Sequence, residues 1–512
     1  MSGTDNVNNA AAPGSGPQLA AVSGTAGDVD VRKPMVRRSP SVAQAILLGA
    51  AAAQLGLSLL ITIYLARILS PAAFGFFALV GAVLILARKF LDLGLGNVAA
   101  RDIARDPARE RPILEGMMAY RRAGGVLAMA VVAVFAVTQQ GGAERAVLLG
   151  VAAVLLFTEP AALDPVFQVR QAQGGPALIN IGGGLLVFVG ALLCQRAGTA
   201  GANFAWLLVL REIAILLGTK ILAERLLGYQ VRPGFRGRAL ESFVRPALVF
   251  GLASLVYTIY FHCDVFFVEA LRGQNELGAY AAAFRPINPL LVLPWLLMSP
   301  LVPVMSATAM RDMELFVRQV RGICAAALGI GACAAVAGAM LAPELVQLLY
   351  KGRYLQGTLS TVSAFRWLAV AFGMVAVTTV LTASLLASGR EKLLLAIGVT
   401  ALAVNAGLNL VLLRHYDFTA AAFATAATEL LFLLGALIAF YIVTRCSPLT
   451  LSSALYLAPA LIVAGLLHVT GGGPTLRVGC GIFSGLLSVI AILMAPPTRR
   501  LRRELASASP AI

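Results

Sequence analysis

Charge is scarce in this sequence. Only 12% of the 512 residues are Asp, Glu, Lys or Arg, against about 25% in a soluble domain. By contrast, 59% are hydrophobic and the mean hydropathy is +0.85. So few charged groups cannot cover a water-soluble globule, which excludes a soluble enzyme. Hydropathy this high also excludes an outer-membrane barrel, whose alternating strands average to modest values. Paired cysteines are missing too. Cys194, Cys263, Cys324, Cys333, Cys446 and Cys480 lie in or beside apolar segments without the spacing of a disulfide framework or a zinc site. None of the five lysines ends a G-x-x-x-x-G-K-[ST] run, so ATP is not the direct energy source. No metal, cofactor or catalytic residue is expected.

Apolar runs long enough to cross a hydrocarbon core of about 30 Å are abundant. They fall at 42–66, 73–92, 118–138, 146–167, 177–194, 203–226, 243–268, 279–307, 319–343, 359–387, 391–413, 418–444, 449–469 and 475–495. The expectation is an all-α polytopic membrane protein of about fourteen transmembrane helices. Residues 1–40 are polar and rich in Gly, Ala, Ser and Asn, which suits a disordered cytoplasmic tail; 496–512 reads as a basic one.

The placement of basic residues orients these helices. With the N-terminus inside, 29 of the 40 Lys and Arg residues fall on the cytoplasmic side, 8 on the other, and 3 within helices. This bias places both termini in the cytoplasm and accounts for the net charge of +16 without nucleic acid. The loops are short. The longest outer loop, 344–358, is too small for the folded domain a polysaccharide polymerase would need.

Two segments repeat each other. Gly75, Phe77 and Ala78 after the first helix match Gly278, Tyr280 and Ala281 after the seventh. This spacing suggests parallel six-helix halves, 41–226 and 243–444, joined by a basic cytoplasmic linker at 227–242 and followed by two additional helices at 445–495.

Further stretches have a recognisable order: 64–75 (YLARILSPAAFG), 91–96 (LDLGLG), 264–268 (DVFFV), 277–285 (LGAYAAAFR), 348–354 (LLYKGRY) and 405–412 (NAGLNLVL). In these the chain resembles the Wzx-type lipid-linked oligosaccharide flippases of the multidrug/oligosaccharidyl-lipid/polysaccharide exporter superfamily. It departs from them at Asp417 and Thr419, where glycine is frequent. The resemblance implies two six-helix bundles around a central cavity that opens alternately to each side. It also implies a polyprenyl-diphosphate-linked oligosaccharide as substrate, taken from the cytoplasmic to the periplasmic leaflet of a bacterial inner membrane. A polymerase and glycosyltransferases would be its working partners, and membrane lipids its surroundings. A lipid II flippase or a cation-coupled multidrug exporter of the same superfamily is the alternative. The exporter reading is disfavoured because 42–66 carries Gln44 and Gln54 but no acid.

Charges inside helices cost about 2.5–3.5 kcal/mol each at the bilayer centre and point to function. Arg211, Arg285 and Arg366 lie at similar depth in the outer half, where a shared cavity would offer them to a diphosphate or to acidic sugars. Glu159, Glu429 and Asp264 are candidates for ion coupling or for structural roles. Asp264 is level with Arg285, so an ion pair bracing that hairpin is one expectation. Asp92 reads as a helix cap.

Overall fold

Proline, glycine and charge set where each helix begins and ends. The structure, a computed structural model, describes residues 40–494 apart from 140, 200, 235, 236, 356, 359, 471 and 472. The expected tails at 1–40 and 496–512 lie outside it, save for Pro40. Among the described residues there is no strand. Helix α1 is Pro40–Ile68. Ser70 then caps α2 (Pro71–Asp92), accepting from the Ala73 amide at 3.3 Å, with Pro71 in the first turn. Leu93 and Gly94 both take positive φ, +39° and +74°, which ends α2 before α3 (Leu95–Arg105) begins.

There follow α4 (Glu110–Thr138), α5 (Gly142–Leu155), α6 (Asp164–Val169), α7 (Gly174–Arg196) and α8 (Trp206–Leu227). Helix α4 packs on α5, and α7 on α8. Beyond the linker lie α9 (Gly237–Ile287), α10 (Val292–Met298), α11 (Leu301–Arg311), α12 (Met313–Met340) and α13 (Ala342–Tyr350). After them come α14 (Val362–Ala387), α15 (Glu391–His415) and α16 (Thr419–Thr444). Helix α14 is buried between α12 and α16. The last two, α17 (Ala458–Val469) and α18 (Pro474–Met494), pack on α12, and an Arg477–Glu344 ion pair ties α18 to α13.

The expected count of fourteen spans is not reached. Eleven described helices are long and apolar enough to cross a membrane, twelve if Gly142–Leu155 and Glu159–Val169, bent by 43°, form one span. The expected span at 203–226 carries Arg211, Glu212 and Lys220 within α8. The one at 279–307 is broken into short pieces, where Pro289, Pro294 and Pro300 interrupt the hydrogen-bond ladder. Helix α9 also holds two antiparallel arms. Gly273 (φ +81°, ψ 177°) is non-helical, and Tyr280 beyond it donates to Asp264 before it at 2.9 Å. Residues sixteen apart in a straight helix would stand about 24 Å apart, so the chain doubles back at Gly273.

The two glycines equated by the repeat face each other. A Cβ on Gly75 would stand 2.2 Å from the Gln274 carbonyl oxygen, and one on Gly278 1.9 Å from that of Pro71. The start of α2 and the returning arm of α9 therefore pack backbone against backbone. At the opposite end of α2, Gly251 on the first arm of α9 abuts the Leu93 carbonyl in the same way, a Cβ there falling at 1.9 Å. Helix α2 is thus clamped by α9 at both ends.

Candidate functional site

A cavity of about 720 Å3 lies beside the Leu93 end of α2. Arg88, Lys89 and Asp92 of α2 form one wall and Asn97 of α3 adjoins it. Arg121 of α4, Asp164 and Gln168 of α6, Gln173 and Asn180 beside and on α7, and Glu212 and Thr219 of α8 complete the lining, with Thr258 of α9.

Its charges are held in pairs. Arg88 Nε donates to Glu212 Oε1 at 2.6 Å and Arg88 Nη2 donates to Glu212 Oε2, so the pair is bidentate. The Glu212 side chain is 3% exposed and that of Arg88 37%, which leaves guanidinium donors available to the cavity. Buried Arg121 donates to Asp92 Oδ1 at 3.2 Å and keeps an unpartnered Nε. Asp92 also accepts from the Gly94 amide at 3.3 Å, so it is a cap as expected and an ion-pair partner besides. Below the cavity, Glu110 accepts from Arg170 at 3.1 Å and from the Tyr229 hydroxyl at 3.2 Å. Burial and the Glu110 carboxylate push the Tyr229 phenol up to about 12, so it stays a donor at neutral pH.

The sequence-expected arginines have separate surroundings. Arg211 stands beside Glu212 and packs its Cγ against Gly183 of α7. It is not part of the cavity lining. Arg285 lies between α9 and α2, donating to the Phe77 carbonyl at 3.2 Å with its guanidinium over the rings of Phe74 and Phe77, at 5.5 and 5.1 Å. Exposed Arg366 donates to the Ala339 carbonyl at 3.2 Å.

Of the carboxylates, Glu159 accepts from Arg122 at 2.7 Å. Asp264 is not paired with Arg285: five residues beyond Tyr280, Arg285 sits on a different face of its helix and turns to α2. Asp264 instead heads a buried polar cluster. Tyr280 donates to its Oδ2 at 2.9 Å, Thr425 to the same oxygen at 2.5 Å and Asn409 to its Oδ1 at 2.8 Å. Asn405, Thr428 and Tyr260 continue the chain of bonds, and Tyr260 neighbours buried Glu429. Asn409 Oδ1 is buried without a donor.

Arg88, Arg121 and Glu212 were not singled out from the sequence, where Arg88 and Arg121 count only as cytoplasmic-side charges. The available signal was Glu212 itself, a carboxylate in an apolar helix whose neighbour Arg211 cannot face it.

At the Ser70 end the C-terminal ends of α1 and α13 are latched together. Arg67 Nε and Nη2 donate to the carbonyls of Leu349 and Leu348, at 2.7 and 2.8 Å. Arg353 Nη1 returns the contact to those of Arg67 and Leu69, at 3.0 and 2.5 Å. Arg67 of α1 thus caps the last turn of α13, and Arg353, in the turn after α13, caps the end of α1, where carbonyls lack a helical partner.

No curated protein matches the sequence. Among solved structures, the fold is similar to the lipid II flippase MurJ in an inward closed conformation, with a TM-score of 0.68, 12% identity, and 88% of this chain and 98% of that chain covered. It is also similar to a multidrug resistance MATE family transporter of the MOP superfamily in an inward-facing conformation, with a TM-score of 0.57, 15% identity and coverage of 81% and 98%. A mutant of the Vibrio cholerae MATE transporter VcmN matches with a TM-score of 0.53, 12% identity and coverage of 79% and 98%. The expected all-helical, many-span fold is therefore present. A family model described as polysaccharide biosynthesis protein matches residues 44–309. That stretch is more than half of the chain, which belongs to the polysaccharide biosynthesis protein family.

Proposed function

We propose that the chain is a flippase for polyprenyl-diphosphate-linked oligosaccharide. It carries the head group from the cytoplasmic to the periplasmic leaflet of a bacterial inner membrane by alternating access, for O-antigen, capsule or exopolysaccharide assembly. Both termini are cytoplasmic, so the cavity lies toward the cytoplasm and the latch toward the periplasm. The observation that carries this reading is a polar, arginine-bearing cavity within helices whose outer faces expose Leu, Val and Ile. A glycan cannot cross hydrocarbon unaided, and such a cavity shields it while the polyprenyl tail stays in lipid.

In this mechanism Arg88 and Lys89 receive the diphosphate from the cytoplasmic side. Arg211, Arg285 and Arg366 are the cations it meets next, once α2 and α9 part. An inside-negative potential favours outward movement of an anion by about 2.3 kcal/mol per charge per 100 mV. Synthases and a polymerase on either side of the membrane would supply the substrate and consume the product. Expression in a strain lacking its own flippase is expected to restore surface polysaccharide. Purified protein in proteoliposomes is expected to move a fluorescent polyprenyl-diphosphate oligosaccharide between leaflets. Failure of both would refute the assignment. The similarity to MurJ favours one second reading, lipid II as cargo; rescue of cells depleted of their lipid II flippase would select it.

Ion coupling is assigned to Asp264. A buried carboxylate beside the unpartnered Asn409 Oδ1 offers oxygen ligands that a proton or a small cation would satisfy. Asp264→Asn keeps the shape but cannot titrate. It is expected to remove the dependence of proteoliposome transport on an imposed ion gradient, whereas Glu159→Gln, which only loosens the bond to Arg122, retains it. Gradient dependence unchanged in Asp264→Asn would leave the cluster structural.

A further inference from the structure

The charge balance of the cavity bears on which glycan it admits, a question that rests on the flippase reading. The lining has three cations, Arg88, Lys89 and Arg121, and three carboxylates, Asp92, Asp164 and Glu212. Two of the cations are already neutralised by Glu212 and Asp92. Asp164 holds no hydrogen bond or ion pair among the described residues. It is exposed although helices surround it, because it opens into the cavity. Lys89 and the spare donors of Arg88 stand on the α2 wall and Asp164 on the α6 wall, where Asp164 feels the charges of Arg121 and Arg88 without a hydrogen bond to either.

Beside Asp164 the α6 wall continues in uncharged polar side chains. Gln168 lies one turn further along α6, and Asn97 and Gln173 adjoin the same space, all three exposed. A side-chain amide offers donors and an acceptor together, which matches a sugar hydroxyl that is both. A carboxylate on the sugar would find no unpaired cation at that wall. It would also face Asp164 in an enclosed space where like charges repel more strongly than in bulk water.

We propose that this cavity selects a head group whose only charge is the diphosphate. The diphosphate sits against α2, and an uncharged, hydroxyl-rich glycan lies along Asn97, Gln168 and Gln173. Asp164 is the specificity-determining residue that rejects acidic sugars.

The test uses the full-length protein in proteoliposomes with two synthetic polyprenyl diphosphates. One bears an uncharged disaccharide, the other the same disaccharide with one sugar replaced by its uronic acid. The uncharged substrate is expected to move at least tenfold faster, and Asp164→Asn is expected to narrow the ratio severalfold by accelerating the acidic one. Equal rates, or faster movement of the acidic substrate, would overturn the selectivity while leaving the flippase reading intact. A ratio unchanged in Asp164→Asn would overturn the role of Asp164. Movement of neither substrate would overturn the flippase reading and this inference with it.

Discussion

Arg88→Ala is expected to abolish transport, lowering proteoliposome flipping at least a hundredfold. Arg88 is the cavity cation that combines a fixed position with donors to spare. The Glu212 carboxylate holds its fork from behind, so the remaining N–H groups meet a phosphate without further ordering of the side chain. Lys at this position keeps the charge but not the fork and is expected to recover only part of the rate. Ala also strands Glu212 in a buried site. Breaking a buried pair from one side costs about 3–5 kcal/mol, and the water-accessible Arg88 puts this case toward the lower figure. Loss of activity alone would therefore be ambiguous. The double variant Arg88→Met with Glu212→Gln removes both charges, so it should return thermal stability in detergent to near the wild-type value while transport stays lost. Restored transport in that double variant would show Arg88 to be a structural brace and would remove the cavity's main phosphate ligand.

Gly278→Val is expected to stop the cycle at a different place. A Cβ at this position would fall 1.9 Å from the Pro71 carbonyl oxygen, so the backbones must part by about 1.5 Å to reach ordinary packing distance. Close-packed interiors yield to such an intrusion by moving whole elements. Both partners here are backbone, so no rotamer change relieves the clash. Separation of α2 from the returning arm of α9 would also pull the Arg67 and Arg353 bonds out of reach, since Arg67 and Leu69 lead directly into α2. The variant is expected to rest open to the periplasm with transport reduced at least tenfold. In a background without the native cysteines, a cysteine at buried Ala78 should react with a membrane-impermeant thiol reagent in Gly278→Val and not in the parent. Parental transport with no labelling would mean that the contact is incidental to gating.

The arginines illustrate what a one-dimensional reading reaches. Arg211, Arg285 and Arg366 stand out because an apolar helix has no ordinary use for them, and their depth follows from counting residues. Depth does not fix the direction in which a side chain points. Arg285 turns to α2 because its own face of α9 meets Phe74 and Phe77, a relation between residues about two hundred apart. Arg88 was hidden for the complementary reason: near a helix end, a basic residue is indistinguishable from the many that orient the protein. Asp264 was legible as a buried acid. Its partners Tyr280, Asn409 and Thr425 were not, since three separate helices must converge to supply them.

Composition and run length alone make this a helical membrane protein, the charge bias and the Gly75 and Gly278 repeat set expectations for its orientation and halves, and short ordered motifs carry its resemblance to a flippase family. Those properties are sums along the chain and do not need the fold. Packing in three dimensions adds that α9 doubles back at Gly273, that proline breaks 279–307 into pieces, and that the equated glycines touch. It also sets the cavity among α2, α4, α6, α7 and α8 with its charges paired. Each of these is a distance between segments remote in sequence, fixed by the packing of several helices at once and encoded in no single stretch of the chain.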